Sequence, residues 1–234
     1  MKMDKSRILP QDKKYIFFDL DGTLTDPFYG ITRSVQYALN HFGVKADDLR
    51  ELSRFIGPPL TDSFMEYYGL SKEQAAEAVE KYRERFSDTG IFENEIYDGI
   101  KELLGELKSQ GRELYIATSK PEVFAQRIAE HFEIEEYFTQ ITGSLLDGTR
   151  VDKAEVIAHL IETAGIGDRE LVIMTGDRMH DIVGARKNKI ESIGVSYGYG
   201  GTQELEGAGA TYVTETVEGL RSMLTGKSLQ HKEP

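Results

Sequence analysis

The chain has no cysteine in its 234 residues, which excludes disulfides, thiol catalysis and cysteine-based metal sites. That composition is compatible with the cytoplasm, and a cytoplasmic location is the expectation. No apolar run approaches the roughly 18 residues of a membrane span, so no membrane partner is expected. Met1 to Lys14 is charged and has no apolar centre, so it does not read as a secretory leader. Positive charge is in short supply: 28 Lys and Arg face 40 Asp and Glu, a net charge of -12. Such a chain is a poor ligand for a nucleic-acid polymer, whose affinity rests on phosphate neutralisation. Any anionic substrate must instead meet a local positive field. Internal repeats and low-complexity segments are also missing. What remains, at 39% hydrophobic and 29% charged residues, is an ordinary globular composition, long enough for one domain and a smaller companion.

One stretch organises the rest: Tyr15-Ile16-Phe17-Phe18-Asp19-Leu20-Asp21-Gly22-Thr23-Leu24-Thr25. Four apolar or aromatic residues in a row read as a strand buried on both faces, as in a parallel sheet. Asp19 and Asp21 follow at its carboxyl end, where open α/β sheets place their ligands. If the backbone stays extended, the two-residue period points both carboxylates the same way. Like charges that close require a cation between them or a proton on one. A bare Asp-Gly turn after a strand is the plainer alternative.

Beyond Asp26-Pro27 the pattern turns helical. Ile31, Val35, Ala38, Leu39 and Phe42 form one stripe ended by Gly43, and Gly57-Pro58-Pro59 opens a helix that Gly69 stops. Ser71 to Gln74 has the form of a capping box, ahead of a stripe of Ala75, Val79, Tyr82 and Phe86. From about Tyr97, helices alternate with strands at Leu114–Ala117, Gln140–Gly143, Leu171–Met174, Ser192–Ser196 and Thr211–Thr214. Pro121 is expected at the first position of a helix, and another helix is expected from about His180 to Asn188. Strands separated by helices imply parallel pairing through right-handed crossovers. Residues 1–13 read as a polar lead-in and Gly226 to Pro234 as a frayed tail.

The string Asp19-Leu20-Asp21-Gly22-Thr23-Leu24-Thr25 resembles the first motif of the haloacid dehalogenase-like hydrolase superfamily. The resemblance implies that Asp19 attacks phosphorus and becomes an aspartyl phosphate. Asp21 then protonates the leaving group and later activates water, next to a bound Mg2+. Three more parts of that family's site have counterparts here. Thr118, after Leu114-Tyr115-Ile116-Ala117 and before Ser119-Lys120-Pro121, resembles its phosphoryl-binding hydroxyl, with Ser119 in support; alone it would read as a turn residue. Lys153, opening a helix after Asp152, resembles its phosphoryl-neutralising lysine, with Asp152 and Glu155 suited to a cap pairing. Lys120 competes for that role but directly follows the hydroxyl motif, so Lys153 is preferred. Finally, Gly176-Asp177-Arg178-Met179-His180-Asp181 carries two acids at i, i+4, on one side of a helix start. Asp177 resembles the family's metal ligand, and Asp181 the acid that orients the lysine or completes the metal shell. Mg2+ keeps several waters, so Asp19, Asp177 and the backbone carbonyl of Asp21 would suffice. The implied fold is α/β: a Rossmann-like, doubly wound parallel sheet formed by residues 1–26 and 93–234, with a small helical cap domain inserted at 27–92.

Asp21 favours phosphate esters over carbon–halogen bonds, because only an ester leaving group needs a proton. The implied reaction is therefore Mg2+-dependent hydrolysis of a small phosphomonoester. Phosphonatase chemistry needs an amine from the cap in an apolar pocket, which Lys45, Lys72 and Lys81 do not suggest. β-Phosphoglucomutase-like phosphotransfer shares all the core motifs and stays open, as does a non-hydrolytic phospho-acceptor signalling module, although Asp21 serves turnover. Phe55-Ile56-Gly57-Pro58-Pro59-Leu60 resembles the phosphoglycolate phosphatase-like and 5′-nucleotidase-like branch, and Arg178 leans toward the nucleotidase-like side. Arg54 is a candidate for reaching a substrate carboxylate or second phosphate, though a solvated helix-end arginine is the simpler role. His180 is expected as an exposed turn residue, since Mg2+ prefers oxygen. Gly198, Gly200 and Gly201 lack dinucleotide-binding spacing and are expected in a flexible loop near the site. The oligomeric state is not legible.

Overall fold

The computed structural model describes residues 8–227. The first seven residues of the lead-in and residues 228–234 of the expected tail lie outside the described residues. Strand β1 (Tyr15–Phe18) is central because its side chains can be buried on both faces: Ile16, Phe17 and Phe18 have no exposed surface. It is flanked by β4 (Glu113–Pro121) and β6 (Val172–Gly176), both parallel to it. With β5 (Phe138–Ser144), β7 (Glu191–Val195) and β8 (Tyr212–Thr214) the sheet runs in the order β5-β4-β1-β6-β7-β8. The order reverses at β1, and the crevice beyond the carboxyl ends of strands at such a switch point is where α/β sheets bind ligands. The expected α/β, doubly wound fold is the one observed.

Helices α4 (Ile100–Ser109), α5 (Glu122–His131), α6 (Lys153–Thr163) and α7 (Met179–Lys187) cover the sheet. Helices α8 (Gly201–Ala208) and α9 (Val217–Thr225), for which the sequence pattern gave no boundaries, complete the layers. Each is short; α8 buries Leu205 alone, while α9 turns a stripe of Val217, Leu220 and Leu224 to the core.

Between β2 (Thr25–Asp26) and β3 (Glu95–Ile96), which pair antiparallel, lies a helical segment: α1 (Phe28–His41), α2 (Leu60–Tyr68) and α3 (Lys72–Phe86). The Ser71–Gln74 capping box and the left-handed Gly43 and Gly69 delimit these helices as the sequence implied. Leu49–Phe55 adds an unexpected stretch of 3-10 helix, placing Phe55 against Phe64 and Tyr67 with ring centroids 5.0 and 5.4 Å apart. Phe86 of α3 meets Phe124 of α5 edge-on at 5.5 Å, so the apolar cluster runs continuously from the helical segment to the sheet. Just before β3, Glu93 receives Arg33 of α1 and Arg85 of α3. Among the described residues no helix is long and apolar enough to cross a membrane.

Candidate active site

The regular strand ends at Phe18, and the chain then turns: the Leu20 carbonyl accepts from the N–H groups of Thr23, Leu24 and Thr25. Asp19 and Asp21 both line one cavity at this sheet edge, but their carboxylates do not share a partner. Each is held by a different buried lysine. Lys153 Nζ lies 2.7 Å from Asp19 Oδ1 and 2.8 Å from Asp181 Oδ1, and it donates to the Ala117 carbonyl at 2.9 Å. Lys120 Nζ donates to Asp21 Oδ2 at 2.6 Å and lies 4.7 Å from the centre of the Phe86 ring. In the sequence Lys120 and Lys153 competed for a single role, whereas the structure gives each its own carboxylate. The signal available was the period of β4, which turns Lys120 and Thr118 to one side of the strand.

Thr118 lies within β4 rather than after it, because the strand continues to Pro121 through an irregular register between Ala117 and Pro121. Pro121 accordingly sits at the N-cap of α5, with extended backbone, and not at its first helical position. Gly143 makes this possible, since a Cβ there would lie 2.4 Å from the Lys120 carbonyl oxygen. Thr118 is buried and, with Ser119, lines the cavity. Lys153 is the first residue of α6, placed by Asp152, whose side chain accepts from the Ala154 N–H. Its other carboxylate oxygen binds Lys187, so the cap rests on Asp152 rather than on the expected pairing with Glu155.

Asp177 and Asp181 follow β6, and their oxygens and one of Asp19 lie within 4.8 Å of one another. All three are buried, with Lys153 as the cation between two of them. Asp177 Oδ2 accepts from the Tyr199 N–H at 2.8 Å, while Asp177 Oδ1 is buried without a hydrogen-bond partner. Burial first, then the neighbouring Asp181 and Asp19 charges, push the Asp177 carboxyl well above the usual carboxylate range. Asp181 is pushed up to about 6, mainly by burial, although Lys153 pulls it back. Lys153 is raised despite its burial, because Asp181 and Asp19 hold it charged. Three buried carboxylates against one lysine leave an excess of negative charge that a divalent cation would neutralise. The hard oxygen donors fit Mg2+ or a similar ion. Asp21 contributes no side-chain oxygen to this cluster; its carboxylate faces Lys120.

Glycines make the cluster compact. A Cβ on Gly22, which has φ +80°, would lie 2.2 Å from Asp177 Oδ2, and one on Gly198 would lie 2.3 Å from the Gly22 carbonyl oxygen. Gly198 and Gly200 pack against Asp177, whereas Gly201 is the first residue of α8 and a Cβ there would meet nothing within 4 Å. His180 sits half-buried in the first turn of α7, not in an exposed turn, and burial lowers its pKa.

The helical segment roofs the cavity, of about 160 Å³, with Phe55, Leu60, Val79, Tyr82 and Phe86. Arg54 is exposed, with its guanidinium 4.3 Å from the centre of the Tyr67 ring, and does not line the cavity. The arginine of this segment that does is Arg83, on the same face of α3 as Phe86 and Val79, which the sequence did not single out. Arg178 reaches across to the roof: it donates to the Ile56 carbonyl at 2.5 Å and pairs with Glu204 at 2.9 Å.

Residues 16–195 match the profile of the haloacid dehalogenase-like hydrolases. A curated 5′-nucleotidase of Pseudomonas aeruginosa is 51% identical over 89% of this chain and 94% of its own. The tyrosine-protein kinase PtkA of Mycobacterium tuberculosis is 38% identical over 92% of this chain and 73% of its own. The crystal structure of a predicted phosphatase from Clostridium acetobutylicum superposes with a TM-score of 0.89 at 47% identity, covering 92% of this chain and 99% of the other. Sheet, acid cluster and relatives agree: the chain belongs to the haloacid dehalogenase-like hydrolase family and is one of its phosphatases.

Proposed function

We propose that the protein is a Mg2+-dependent phosphatase that hydrolyses a small phosphomonoester through an aspartyl phosphate on Asp19, with a nucleoside 5′-monophosphate as the favoured substrate. The observation that carries this reading is that two acids line one roofed cavity and each is paired with a buried lysine of its own. Asp19, whose Oδ1 lies 2.7 Å from Lys153 Nζ, is the nucleophile. Asp21 delivers a proton to the leaving oxygen and later removes one from the attacking water. The Thr118 hydroxyl and the Lys153 ammonium balance the charge on the phosphoryl oxygens. Asp19, Asp177 and the Asp21 backbone carbonyl, with Asp181 beside them, would hold the metal ion. When bound, it offsets the repulsion between Asp19 and the phosphate and stabilises charge on the transferring group.

The helical segment, residues 27–92 in this reading, acts as a cap on a core of residues 1–26 and 93–234, shielding the transfer step from water. Its aromatic and aliphatic roof suits a planar, partly apolar leaving group better than a compact dianion. The 5′-nucleotidase relative supports the same choice over phosphoglycolate. The test is phosphate release from nucleoside 5′-monophosphates, phosphoglycolate, sugar phosphates and pyridoxal phosphate, in Mg2+ or EDTA. Turnover of nucleotides that needs Mg2+ and vanishes in Asp19→Asn is the expected result. Labelling of Asp19 without phosphate release would instead favour a phosphotransferase.

A further inference from the structure

Lys120 is a buried cation that the chemistry outlined above leaves without a task. Its ammonium has three N–H groups, and its one hydrogen-bond acceptor among the described residues is Asp21 Oδ2, at 2.6 Å. The contact fixes one oxygen of Asp21 and leaves the other, Oδ1, buried with no hydrogen-bond partner. On its other side Lys120 lies against the ring of Phe86, which belongs to the cap. Phe86 itself is wedged between Tyr82, stacked at 5.1 Å, and Phe124 of the core. The lysine is thus held from the core by the backbone of β4 and from above by a cap ring. An aspartate on a short turn after a strand has two free torsions, and nothing else among the described residues hydrogen-bonds its carboxylate.

We propose that Lys120 is the positioning residue for Asp21: it tethers Oδ2 so that Oδ1 faces the leaving oxygen, and its contact with Phe86 makes that aim depend on the closed cap. The inference rests on Asp21 being the acid and base of the phosphatase reaction. A tether of this kind contributes where a proton must be delivered in a defined direction, and little where the leaving group departs as a stable anion. Alkyl phosphates belong to the first case and p-nitrophenyl phosphate to the second.

The experiment compares kcat/KM, which reports the first phosphoryl transfer, for an alkyl phosphate or nucleotide and for p-nitrophenyl phosphate. Lys120→Met is expected to lower the value for the alkyl ester by about 100-fold, the lower end of what general acid catalysis contributes, and for the nitrophenyl ester by less than about 5-fold. The same variant should release nitrophenol in a burst, because Asp21 also serves the later hydrolysis. Lys120→Arg, which keeps a charged donor, should recover at least tenfold of the alkyl rate. Phe86→Leu should shift the ratio of the two esters in the same direction by a smaller factor. The Lys120→Met, Asp21→Asn pair should be no slower on the alkyl ester than Asp21→Asn alone, since coupled residues are non-additive. Equal loss on both esters in Lys120→Met and Lys120→Arg, or additive losses in the pair, would overturn the assignment. A wild type that hydrolyses neither ester would overturn the phosphatase reading beneath it.

Discussion

Replacing Asp177 with asparagine separates the charge argument from the packing argument at the acid cluster. The asparagine side chain keeps an oxygen for the Tyr199 N–H but removes one of the three clustered buried carboxylates, the one that Lys153 does not contact. Burial is the main reason the Asp181 carboxyl is displaced from 3.8 to about 6, whereas the Asp177 carboxyl is raised by burial and then by the Asp181 and Asp19 charges. Because the Asp177 and Asp181 carboxyls have raised pKa values in the folded chain, it holds their protons more tightly than the unfolded chain does. The stability they contribute is therefore present below about pH 4 and is lost as the pH rises through about 6 and beyond. In EDTA the wild type should lose stability across that window, and Asp177→Asn should lose less. If about 2 kcal/mol is released, the variant melts about 4–8 °C above the wild type at pH 7.5 and nearly with it at pH 4. Mg2+ should reverse the order. At about 100 times its Kd it stabilises the wild type by about 2.7 kcal/mol, whereas the variant, lacking one ligand, should gain little. Thermal denaturation followed by circular dichroism at both pH values, with and without Mg2+, reads all of this. A variant that melts below the wild type in EDTA at pH 7.5, or an equal gain from Mg2+ in both proteins, would refute the reasoning.

Two arginines of the helical segment, Arg54 and Arg83, give a second contrast. Arg83→Ala should raise KM at least 5-fold for the best substrate, because Arg83 lines the cavity, and Arg54→Ala should change it less than 2-fold; steady-state kinetics on purified variants decides. Within the cap, Phe55→Ala removes a buried ring packed on Phe64 and Tyr67, and should cost about 3–5 kcal/mol. Limited proteolysis should then cut within residues 49–68 before the sheet is attacked, and simultaneous digestion of the whole chain would show that the cap is not a separable unit.

The elements the sequence determined by itself are those whose cause is local. Tyr15–Phe18 had to be a central strand because four consecutive large apolar residues need cover on both faces. Ser71 and Gln74 marked a helix start because the two side chains satisfy each other's backbone donors. Asp19, Asp21, Thr118, Lys153, Asp177 and Asp181 were picked out by the resemblance of their motifs to the family's, at strand ends and helix starts where α/β sheets gather ligands. Helix α8 escaped because Leu205 is its one buried apolar side chain, whereas α9 does carry a stripe, Val217, Leu220 and Leu224, that was overlooked.

Partnership was a different matter. Nothing local says that Lys120 meets Asp21, 99 positions away, or that Lys153 bridges Asp19 and Asp181. Those pairings depend on the irregular end of β4 and on the register of α6 beneath the sheet edge. The choice of Arg83 over Arg54 depends on how α3 rolls over the cavity. The glycines at 198 and 200 could be read from sequence only as freedom of the chain. Packed against Asp177, they leave the space that a Cβ would fill, and only the fold reveals what stands there. Local sequence decides which side chains can carry charge at a strand end; the long-range packing of the sheet, its helices and the cap decides which of those charges face one another.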